Sequence, residues 1–96
     1  MITTKQRAVL RAMANQLEPI FQIGKNEIGP EMITEIYNAL EARELIKITV
    51  LKNSGLTARE ACEEIVSKTG SEPVHCTGNR LIIYKKSRKH QKIFLD

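Results

Sequence analysis

Residues 19–51 read PIFQIGKNEIGPEMITEIYNALEARELIKITVL. Pro19 cannot continue a helix, so the apolar run 19–23 starts as an extended segment. Gly24 to Gly29, GKNEIG, breaks that run. Pro30 suits a first helical turn, where its missing N–H would be unpaired in any case. Ile33, Ile36, Tyr37 and Leu40 then recur with helical spacing. Residues 45–51, LIKITVL, are rich in branched side chains and alternate. Ile46, Ile48 and Val50 fall on one face and Lys47 and Thr49 on the other, so that face is expected to be partly wet. A strand–helix–strand unit implies parallel pairing through a right-handed crossover.

The flanking sequence extends this unit both ways. Upstream, Leu10, Met13, Ala14 and Leu17 form a helical stripe, and Thr3 and Gln6 have the spacing of a capping box. Downstream, Thr57 and Glu60 repeat that spacing ahead of Ala58, Ala61, Cys62 and Ile65. Gly70 stands where a left-handed cap residue ends a helix. VHCT (74–77) and RLIIY (80–84) flank Gly78-Asn79, which fits a two-residue hairpin turn. The expected fold is a single compact α/β domain of order α-β-α-β-α-β-β, with a four-stranded mixed sheet and three helices. Residues 1–84 are read as the domain and 85–96 as a basic tail.

Charge is distributed unevenly along this order. Residues 1–84 hold ten Lys/Arg and ten Asp/Glu, whereas KKSRKHQKIFLD (85–96) holds five Lys/Arg and one Asp. The formal net charge of +4 therefore belongs to the last twelve residues. A neutral body with a basic end suits a polyanion, nucleic acid before an anionic membrane surface. The four aromatics, Phe21, Tyr37, Tyr84 and Phe94, support base stacking poorly. Cys62 and Cys76 are too few for a disulfide framework and are expected to be reduced. The amino end lacks an apolar signal stretch, and no apolar run approaches the ~20 residues of a membrane helix. A soluble, cytoplasmic protein is expected.

Chemistry-bearing candidates are few. Glycines in 24–29 let backbone N–H groups approach a ligand, Lys25 adds a charge, and the following helix start favours an anion. Glu27 and Glu31 oppose this, and the spacing matches neither common phosphate-loop pattern, so spacing alone favours a plain turn. Lys5, Arg7 and Arg11 could make a phosphate-contacting edge beside this loop, against the alternative of a solvated helix face. Lys85, Lys86, Arg88, Lys89 and Lys92 form the dense cationic cluster, with Ile93, Phe94 and Leu95 available to dock it on the body. Neither a nucleophile–base pair nor zinc-ligand spacing can be read. No catalytic residue, metal or cofactor is expected.

The stretch LRAMANQLEPIFQIGKNEIG (10–29) resembles the signature of the CRM domain family (chloroplast RNA splicing and ribosome maturation). The match runs through Leu10, Arg11, Ala14, Leu17, Pro19, Ile20, Ile23, Gly24 and Lys25. LIKI (45–48) and GNRLIIYK (78–85) resemble further family blocks, and the stand-alone bacterial YhbY-like members are most similar. The resemblance implies an RNA-binding domain of the same element order, without catalysis, associated with precursors of the large ribosomal subunit. It also implies a G-x-x-G loop, likened to that of KH domains, in which Gly24, Lys25 and Asn26 contact the RNA backbone. Position 27, where the second glycine would fall, is Glu27.

The expected function is non-catalytic binding of large-subunit ribosomal RNA during assembly. The site would comprise Gly24, Lys25, Asn26, Lys5, Arg7, Arg11, Lys85, Lys86, Arg88, Lys89 and Lys92. A monomer with no membrane or small-molecule partner is expected. The alternative is a module that binds a ribosomal protein or assembly factor, with a tail that only aids solubility.

Overall fold

The computed structural model describes residues 1–25 and 28–95; Asn26, Glu27 and Asp96 lie outside the described residues. The elements are α1 (Thr4–Ala14), β1 (Phe21–Ile23), α2 (Pro30–Arg43), β2 (Leu45–Val50), α3 (Ala58–Thr69), β3 (Glu72–Thr77) and β4 (Arg80–Tyr84). This is the predicted order. The sheet runs β1-β2-β4-β3, with β1 parallel to β2 and the other pairs antiparallel.

Local chemistry sets the boundaries. Thr3 and Thr57 each accept the N–H of the residue three positions on at 3.1 Å, and the side chains of Gln6 and Glu60 return the bond at 2.9 Å. Both capping boxes therefore form, each stabilising its helix by about 1 kcal/mol. Pro30 opens α2, and Gly70 closes α3 with φ +74°. Gly78, at φ +54°, is the first residue of the β3–β4 turn, where a positive φ is needed.

Two clusters sandwich the sheet. Ile46 and Ile48 of β2 and Leu81 and Ile83 of β4 meet Ile36 and Leu40 of α2 and Ala61, Cys62 and Ile65 of α3. On the other face, Leu10 and Ala14 of α1 cover Leu45, Val74, Ile82 and Tyr84. Three layers result: two helices, the sheet, and one helix.

The stripe expected of the first helix is narrower in the structure. Leu10 and Ala14 are buried, but Met13 is 42% and Leu17 37% exposed. Leu17 lies beyond the end of α1, in a turn held by its N–H to Ala14 O at 3.0 Å. A lone helix across a sheet buries only the ridge that faces it. No helix among the described residues is long and apolar enough to cross a membrane.

Candidate nucleic-acid interface

The face that carries α1 is only half covered. Register places Leu45, Lys47 and Thr49 of β2 on this face, with Arg80, Ile82 and Tyr84 of β4. Gln22 joins from β1, and His75 and Thr77 from β3. The packed set Leu45, Val74, Ile82 and Tyr84 lies at one end, under α1. Gln22, Lys47, Thr49, Thr77 and Arg80 occupy the other end, outside that packed set, with Thr49 itself buried. Lys47 is half-buried, and Gln22, Thr77 and Arg80 are exposed. Among the described residues, register puts no carboxylate on this open half; Glu72 lies at the covered end, where it accepts Ile2 N–H at 3.1 Å.

Helix α1 carries a basic flank. At about 100° per residue, Gln6 and Met13 lie on one side of Leu10, and Arg7 and Arg11 on the other. Gln6 and Met13 border cavities shared with the C-terminal segment, through Gln91 and Leu95 and through Lys92 and Ile93. The arginine flank therefore looks away from that segment, and Arg7 reaches the outer edge of β3, where it lines a cavity with Arg59 and Glu63 of α3. Arg7 is held there: its Nε–H donates to Pro73 O of β3 at 3.1 Å. Its other four N–H donors make no hydrogen bond among the described residues. Lys5 falls about 140° round from Leu10, on the outer side of the helix, and is not brought to this surface.

The glycine loop lies at the open end. β1 and β2 both finish there, and Val50 N–H donates to Asn79 O of the hairpin turn at 2.7 Å. Lys25 is exposed, as is Lys52 in the adjoining 3-10 turn Lys52–Ser54. A Cβ built on Gly24 would meet Leu51 Cδ1 at 3.7 Å and Asn53 Oδ1 at 4.0 Å, ordinary contacts, and the φ there is not positive. The fold does not need a glycine at position 24. The expected contact through Asn26, and the substitution of Glu27 for glycine, fall outside the described residues.

The basic tail lies at the opposite end of the sheet. Lys85 N–H donates to Glu44 O, beyond Tyr84, where β4 ends beside the start of β2. Ser87 is buried, and Ile93 and Leu95 pack against the Leu10 cluster, while Phe94 is 76% exposed. The structure therefore separates two groups that the sequence placed in one site. Lys25, Arg7 and Arg11 lie away from the tail, whose own cations divide, with Arg88 and Lys89 beside α2 and Lys92 beside Met13 and Leu17. Lys47 and Arg80, absent from the sequence-based site, lie at the centre of the first. Their signal was the polar side of LIKIT, where a partly wet face was expected, and the residue after the hairpin turn; Lys47 meets that expectation as a half-buried residue, whereas Thr49 is buried.

Little else offers chemistry. Cys62 is buried and Cys76 half-buried, both as free thiols. Burial, and then a hydrogen bond with Cys76, pushes the Cys62 thiol up to about 12, which leaves it protonated and unreactive at neutral pH. Among the described residues, no three His, Cys, Asp or Glu side chains are grouped to hold a metal ion. The one ion pair among them is Lys68 to Glu64 at 2.9 Å, a solvent-exposed pair on α3.

Comparison with known proteins bears on the family and the fold. The family model for the CRS1/YhbY (CRM) domain matches residues 2–85. The Bacillus subtilis protein named "Probable RNA-binding protein YqeI" is 42% identical, with 99% of each chain covered. A Haemophilus influenzae protein named "RNA-binding protein" is 32% identical over 92% of this chain and 89% of its own. A hypothetical protein from Staphylococcus aureus, solved in solution, superposes with a TM-score of 0.79 at 38% identity over the whole of both chains. The family model and these matches lead to one assignment: the chain belongs to the CRS1/YhbY (CRM) domain family.

Proposed function

We propose that this protein binds RNA without catalysing a reaction on it, and that the open half of the sheet is its principal contact. The observation that carries this reading is a basic surface: Lys47 and Arg80 at its centre, on strands where register puts no carboxylate at the open end among the described residues, with Arg7 and Arg11 on one side and Lys25 at the loop. Polyphosphate is the natural partner of such a surface. Gly24 supports it, because a glycine that the fold does not demand leaves room for a close backbone approach. The names of the relatives support RNA as the nucleic acid. The family resemblance supports the finer reading: ribosomal RNA of the large-subunit precursor, bound during assembly by a monomer in the cytoplasm. Phosphate contacts would position the protein, and RNA shape would supply selectivity.

A salt titration of binding to large-subunit RNA tests this. Each phosphate contact contributes ~0.7–0.9 to the log–log slope, so the five cations of this surface contribute about –4, to which the tail cations add. Purified protein that ignores this RNA at low salt removes the reading. A second reading, a protein-interaction module, has one observation in its favour: Met13 and Leu17 line an apolar cavity rimmed by Arg43 and Lys92. Gradient sedimentation after RNase treatment separates the two, since only a protein-mediated association survives digestion.

A further inference from the structure

Glu44 is the one non-glycine residue with positive φ among the described residues, at +67°. It is also fully buried. Either property disfavours glutamate, and a residue that keeps both is held by something. What holds it is the tail. Glu44 Oε2 accepts Ser87 N–H at 2.7 Å, and Oε1 accepts Lys92 N–H at 2.5 Å and Ile93 N–H at 2.7 Å. One turn earlier on α2, Glu41 Oε2 accepts Ser87 Oγ–H at 3.1 Å and Arg88 N–H at 3.2 Å. His90 N–H donates to Ser87 Oγ at 3.0 Å and closes the bend.

These bonds consume the main chain of the tail and leave its cations alone. Among the described residues, no carboxylate lies within ion-pair distance of Lys85, Lys86, Arg88, Lys89 or Lys92. Lys85 Nζ stands 5.6 Å from the centroid of the Tyr37 ring, which neutralises nothing. The two carboxylates fix where the tail runs, and its side-chain charge stays on display.

We infer that Glu44, assisted by Glu41, is a positioning residue for RNA. It touches no RNA itself, and its carboxylate holds residues 87–93 in one bend that presents the tail cations as a fixed surface. A fixed array of charges loses less freedom on binding than a floppy one, so affinity is gained without any added contact. This inference rests on the RNA-binding reading above.

The test uses full-length protein carrying Glu44→Gln, with Glu41→Gln as a milder variant. Glutamine keeps the shape but turns an NH2 group toward backbone N–H donors. Native trypsin digestion, mapped by mass, should cut after Lys86, Arg88, Lys89 and Lys92 at least tenfold faster in Glu44→Gln, with Lys47 and Arg80 still protected. Affinity for large-subunit RNA should fall three- to tenfold. Arg88→Gln/Lys89→Gln should lower affinity without speeding digestion, and adding it to Glu44→Gln should cost less than the product of the two effects. Should Glu44→Gln fail to fold, Glu41→Gln must show the same changes at smaller size. Wild-type digestion rates in a folded variant overturn the clasp, and a released tail with undiminished affinity overturns the positioning role. Wild-type protein that binds no RNA removes that role together with the reading beneath it, and the digestion result then shows whether the clasp itself stands.

Discussion

The two ends of the sheet are both cationic, but they are built on opposite principles. At the open end, Lys47 and Arg80 belong to strands and Arg7 to a helix, so the backbone ladder fixes their places. At the other end, five cations hang on a segment without regular structure, tied down by Glu41 of α2 and by Glu44, which caps that helix. The first surface survives as long as the fold does. The second depends on a few hydrogen bonds to buried charge, and conditions that leave the fold intact can release it. Surfaces of similar charge therefore differ in what breaks them.

Deleting the chain after Tyr84 should have the largest effect and should break the comparison outright. Glu44 would lose the N–H groups of Ser87, Lys92 and Ile93, and the Leu10 cluster would lose Ile93 and Leu95. Stability should fall by roughly 3 kcal/mol, read as a lower urea midpoint. The salt slope of RNA binding should flatten by about three or four units as five cations go. A truncated protein of unchanged stability would show that the tail is an ornament on the domain.

Reversing the open end comes next. Lys47→Glu/Arg80→Glu removes two cations and adds two anions at strand positions where register puts no other carboxylate among the described residues. Affinity for RNA should drop about 100-fold, or ~2.7 kcal/mol, with the slope shallower by about 2. Because Arg80 is exposed and Lys47 half-buried, the thermal midpoint should hardly move. Binding lost only through the tail variants would reverse the ranking of the two ends.

Acid should separate the ends without mutation. Burial raises the pKa of Glu44, but hydrogen bonds from Ser87, Lys92 and Ile93 and the nearby charge of Lys86 together outweigh it, and the net shift is below the ordinary 4.5. A carboxyl lowered on folding stabilises the folded state above its unfolded pKa, and that stability is lost as pH falls through the folded value. Tail release should therefore begin only below pH 4.5, with the sheet still intact. Loss of Ile93 amide protection by hydrogen exchange, ahead of Ile48 and Ile83, is the expected observation. Simultaneous loss at all three would make the tail part of one cooperative unit.

The fold was legible because its signals were local. Capping boxes at Thr3 and Thr57, Pro30, and the Gly78-Asn79 turn sit within a few residues of what they control. The site was less legible because its geometry is long-range. Nothing near Lys47 shows that α1 stops short of covering it. The stripe at Met13 and Leu17 marks an apolar side but not whether anything lies opposite. Glu44 reads as an ordinary residue at a helix end, since its partners are 43 to 49 positions away.

Glycines give the smallest and sharpest contrast. Gly70 at φ +74° serves the fold, whereas Gly24 has ordinary geometry and room for a methyl group. Gly70→Ala should cost about 1 kcal/mol, because L side chains resist that conformation, and should leave RNA affinity per folded molecule unchanged. Gly24→Ala should leave stability the same or raise it by ~0.4–1 kcal/mol, since alanine restricts the unfolded chain and meets no clash. Its RNA affinity should nonetheless fall severalfold, because the added methyl group occupies the space a phosphate would approach. Gly24→Ala with full affinity would make the loop a plain turn and leave the open sheet to bind through Arg7, Arg11, Lys47 and Arg80 alone.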